Sequence, residues 1–61
     1  MPSDETRRLL RAFGVAVTAY EDAVQERSST EEIRTAEGAV RARLDEITAL
    51  LDRLREAAAR S

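Results

Sequence analysis

Apolar residues recur at Leu9, Leu10, Phe13, Val17, Tyr20 and Val24, mostly three or four positions apart, which is the spacing of one helix face. Ser3 stands where it can cap that helix. Asp4 and Glu5 place negative charge in its first turn, where the helix dipole favours it. The pattern stops at Arg27, and Ser28, Ser29 and Thr30 form the one cluster of small polar residues. Ser29 followed three positions later by Glu32 fits a capping box. A second stripe then runs through Ile33, Ala36, Val40, Leu44, Ile47, Leu51, Leu54 and Ala58. It ends in an Ala57-Ala58-Ala59 tail of the best helix former. The sequence predicts an all-α chain: a helix over about 4–27, a turn over about 28–30 and a helix over about 30–59. Residues 1–61 then form a single helical hairpin domain.

A link this short makes the two helices antiparallel neighbours. Laid out that way, Val24 faces Ile33, Tyr20 faces the helical turn of Ala36 and Glu37, and Val17 faces Val40. Phe13 faces Leu44, Leu10 faces Ile47 and Thr6 faces Leu51. Every layer except the last is apolar on both sides. The step Ala36–Val40–Leu44 departs from strict heptads, so little supercoiling is expected there.

One hairpin does not account for the whole apolar surface. At about 100° per residue, the apolar arc of the first helix spans roughly 200°, twice what a single neighbour requires. The antiparallel two-helix hairpin is therefore expected to dimerise into a four-helix bundle. Ala12, Ala16, Ala19 and Ala23 offer a small-residue seam for close approach. The expected interface is Leu9, Ala12, Phe13, Ala16, Ala19, Tyr20 and Ala23 from the first helix, with Leu50 and Arg43 from the second. Size points the same way, because a scaffold under about 70 residues usually needs a staple or a partner.

Composition removes most chemistry. The 61 residues contain no Cys and no His, which excludes disulfides, the usual zinc ligand sets and the common nucleophile–base pairs. No cofactor or metal is expected, and the chain is not expected to be an enzyme. Gly14 and Gly38 fall inside the helices rather than in a phosphate-binding loop. Net charge is −2, so attraction to nucleic acid or anionic lipid is not expected. The N-terminus is polar and acidic rather than a signal peptide, and Ala12 to Tyr20 is about half a membrane span. A cytoplasmic protein is the expectation. All 10 basic residues are Arg, the codon usage of a GC-rich, bacterial genome.

Arg43 is the misfit, since it falls inside the apolar arc of the second helix, opposite about Gly14. Either its stem lies on apolar surface with the head in water, or it pairs across subunits with Glu21 or Glu46. Charge is also unevenly laid out. Residues 20–37 hold six acids and two Arg, net −4, whereas residues 1–19 and 38–61 are each net +1. The turn end is acidic and the open end mildly basic, which favours two hairpins packed end for end.

In size and plan the chain resembles the ROP-type proteins, short helical hairpins that dimerise into four-helix bundles. The likeness is one of architecture, with no shared motif. The function expected is a self-associating helical protein–protein interaction module: an adaptor, assembly factor or regulator that binds itself and a further protein partner. The alternative is a dimeric nucleic-acid-binding regulator of the ROP-like type, using Arg7, Arg8 and Arg11 on the polar face of the first helix.

Overall fold

A computed structural model describes residues 3–60. Two helices pack against each other as a hairpin: α1 over Asp4–Gln25 and α2 over Thr30–Arg60. The described residues contain no strand. Pro2, which precedes the Ser3 cap in the sequence, lies outside them.

Both helix starts are capped as the sequence anticipates. The Ser3 hydroxyl oxygen accepts from the Thr6 amide at 3.1 Å. Ser29 does the same for the Glu32 amide at 3.1 Å, while its own hydroxyl donates to the Glu32 carboxylate at 3.0 Å. The far end of α1 differs from expectation. The helix stops at Gln25, two residues early, because Arg27 turns into the left-handed region at φ 56°. Its amide donates to the Val24 carbonyl at 3.2 Å and the Ser28 amide donates to the Ala23 carbonyl at 3.0 Å. These two bonds form a Schellman closure, with Arg in the place that Gly usually fills.

The hairpin is a flat rod of 49 × 19 × 11 Å, two helices wide and one helix thick. α2 is the longer helix by nine residues, 31 against 22. Arg53 reaches Glu5 at 2.8 Å, so the last turn and a half of α2 projects beyond the start of α1.

Packing keeps Thr6, Phe13, Tyr20, Ile33, Ala36, Val40 and Ile47 of the layers read from the sequence and replaces the rest. On α1 the inward side is Thr6, Leu9, Phe13, Ala16, Tyr20 and Ala23, a strict three–four alternation in which every member is half-buried or buried. On α2 it is Ile33, Ala36, Val40, Arg43, Ile47 and Leu50, also strictly heptad, so the four–four step is absent from the seam. Leu10, Val17, Val24, Leu44 and Leu51, expected between the helices, are exposed. The reason is steric. Ala16 and Ala23 let the two backbones come close, and both helices rotate to bring those small residues inward. Only Ala16 and Leu50 are buried among the described residues.

Candidate interaction surface

Each helix carries two neighbouring heptad stripes rather than one. On α1 the second stripe is Leu10, Phe13, Val17, Tyr20 and Val24. It shares Phe13 and Tyr20 with the inward stripe. On α2 the second stripe is Val40, Leu44, Ile47, Leu51, Leu54 and Ala58, sharing Val40, Ile47 and Leu54, the last of which is the next inward position after Leu50, at the level where α2 begins to project past α1. The unshared large members are 39–56% exposed.

The two second stripes lie on the same broad face of the rod. Arg8, Ala12, Ala16 and Ala19 of α1 line a shallow groove together with Ala39 and Arg43 of α2, which fixes one side of the hairpin. The Glu5–Arg53 ion pair lies on that same flank of both helices. By the 100° rotation, Leu10, Val17 and Val24 fall on the other flank of α1, and Leu44 and Leu51 on the other flank of α2. One face of the rod therefore carries the alanines with the Glu5–Arg53 and Arg43–Glu46 pairs, and the opposite face carries the leucines and valines, flanked on α2 by the Glu37–Arg41 and Asp52–Arg55 pairs.

Among the residues expected at a dimer interface, Leu9, Ala12, Phe13, Ala16, Tyr20, Ala23 and Leu50 are at least partly withdrawn from solvent by the hairpin's own packing. Ala19 is exposed at the alanine groove. Arg43 occupies an inward heptad position, beside Ala12 and Ala16 rather than Gly14, and small side chains opposite give its stem room. Its head leaves the seam and donates to Glu46 of its own helix at 2.9 Å, not to Glu21. The sequence reading placed Leu10, Val17, Val24, Leu44 and Leu51 in the seam. Their shared spacing with the true seam hid that they form a free face.

Total accessible surface is 5076 Å² for a mass of 6.8 kDa. A compact monomer of this mass exposes about 4,000 Å², so the hairpin carries an excess of about 1,100 Å².

Other chemistry is sparse. Among the described residues, no three His, Cys, Asp or Glu side chains gather as a metal site, and no buried side-chain polar atom lacks a partner. Nor is any described helix long and apolar enough to cross a membrane. Arg7, Arg8 and Arg11 are exposed and make no ion pair within the described residues. No family model, no curated protein and no solved structure matches the chain.

Proposed function

We propose that this chain is a small, non-catalytic helical interaction module of the cytoplasm. It self-associates as a homodimeric four-helix bundle and acts on a protein partner as an adaptor, assembly factor or regulator. The observation that carries this reading is the exposed second stripe. A hairpin that leaves Leu10, Val17, Val24, Leu44, Leu51 and Leu54 in water has a sizeable apolar surface still to cover. Its own core, two buried residues, is too small to sustain about 60 ordered residues. Association supplies the missing burial. Circular dichroism melts over a hundred-fold range of protein concentration test it: a midpoint that rises with concentration supports the reading, and a constant one counts against it.

A second reading rests on Arg7, Arg8 and Arg11, which are exposed and make no ion pair within the described residues. Nucleic-acid phosphates would be their partners in a dimeric regulator. Binding to RNA or duplex DNA that weakens steeply with salt would favour it; no binding at low salt removes it.

A further inference from the structure

We propose that the leucine–valine face, not the alanine seam, is the dimer contact. It takes a second copy of this chain turned end for end, with the two-fold axis crossing α1 beside Gly14. The inference rests on the self-association reading and adds the face, the occupant and the register.

Three observations select a second copy as the occupant. The first is area: the surface excess of about 1,100 Å² compares with the roughly 800 Å² each partner gives to a standard specific interface. The second is charge. An end-for-end copy sets each acidic turn region beside the partner's mildly basic open end, whereas a same-end copy brings two net −4 regions together. Rotation about an axis across the rod also lays α1 on α1 of the other copy. Arg7, Gly14 and Glu21 then run along the edge of that contact, seven residues apart. An axis beside Gly14 puts Arg7 of each copy level with Glu21 of the other, and Leu10 beside Val17. On α2, Arg41 comes near its own copy, and Glu37 at 3.1 Å already neutralises it.

The third observation is Gly14 itself. A glycine inside a helix costs about 1 kcal/mol relative to alanine. A Cβ built there meets no atom within 4 Å, as at Gly38, so packing within the hairpin requires neither; unlike the outward Gly38, Gly14 borders the leucine–valine face. A helix of the second copy crossing at that point is what a bare backbone accommodates.

The test uses the full chain, which has no native cysteine. Sedimentation equilibrium compares wild type with Leu10→Glu and Leu51→Glu on the proposed face, and with Val15→Glu and Ala19→Glu on the other flank. The first pair should weaken the dimer by about a hundred-fold or more, since each buries a carboxylate in apolar surface. The second pair should change it less than about three-fold. Separately, Gly14→Cys should oxidise rapidly to a disulfide-linked dimer, because residues on the axis meet their own copies. Ser29→Cys, at the far turn, should not. A monomeric wild type overturns the self-association reading and this inference together. A dimer weakened by the Val15 and Ala19 changes, and not by the Leu10 and Leu51 changes, leaves that reading standing and overturns the face. A dimer that crosslinks through Ser29→Cys but not Gly14→Cys overturns the end-for-end register.

Discussion

Glu5 accepts a hydrogen bond from Arg53 at 2.8 Å, which joins the first turn of α1 to a residue 48 positions later in α2. It is the one side-chain hydrogen bond between the helices among the described residues, and it marks the level at which the open end of the hairpin closes. Both side chains are about half exposed, so the pair contributes little: a double-mutant cycle of Glu5→Gln and Arg53→Gln should give a coupling below about 1 kcal/mol, smaller still in high salt. A coupling of several kcal/mol would mean that the pair, and not apolar packing, sets the register.

The turn holds the clearest local strain. Arg27 pays for its left-handed backbone with a steric cost of roughly 1 kcal/mol or more, because its Cβ crowds the following carbonyl oxygen. Arg27→Gly should raise stability by about 0.5–1 kcal/mol in urea unfolding, the relief exceeding the extra freedom glycine gives the unfolded chain. Arg27→Val, β-branched at the same place, should lower it.

Ser29 caps α2 through the Glu32 amide. Ser29→Ala leaves that amide without its side-chain partner and should cost about 1 kcal/mol, whereas Ser29→Asp should keep the cap. Thermal melts at matched concentration separate the two.

How the caps and the seam differ in legibility is instructive. Ser3, Ser29 and Glu32 act through the backbone three residues away, so their roles can be read locally. The two helices and the break between them follow from the same short-range rules. The rotation of the helices is not local. Leu9–Ala16–Ala23 and Leu10–Val17–Val24 have the same seven-residue spacing and share Phe13 and Tyr20, so periodicity fits either stripe to the seam. Side-chain size favours the leucine–valine stripe; close approach of backbones favours the alanine one, and in the structure the second effect wins. Arg43 is legible in part: its place inside the apolar arc and its outward-reaching head follow from the sequence, whereas its neighbours Ala12 and Ala16 depend on the rotation of the helices. Nothing in the residue type of Arg27 announces a left-handed turn.

Neighbouring leucines separate the two contacts. Leu50 is buried in the hairpin seam at 7% exposure and Leu51 is 56% exposed on the free face. Leu50→Ala should destabilise by about 2–4 kcal/mol at every protein concentration, as for other buried leucine truncations. Leu51→Ala should show its cost as weaker dimerisation, with a melt midpoint that depends more steeply on concentration. Ala49→Gln, exposed on the outer side of α2, should stay within about 0.5 kcal/mol of wild type and serves as the control.

Sedimentation equilibrium of the wild-type chain from about 1 to 100 µM tests the central claim most directly, in the range where small specific interfaces associate. A mass of about twice 6.8 kDa, falling toward the monomer on dilution together with loss of helical signal, is the result the free leucine–valine face predicts. A fully helical 6.8 kDa monomer across the whole range would contradict it.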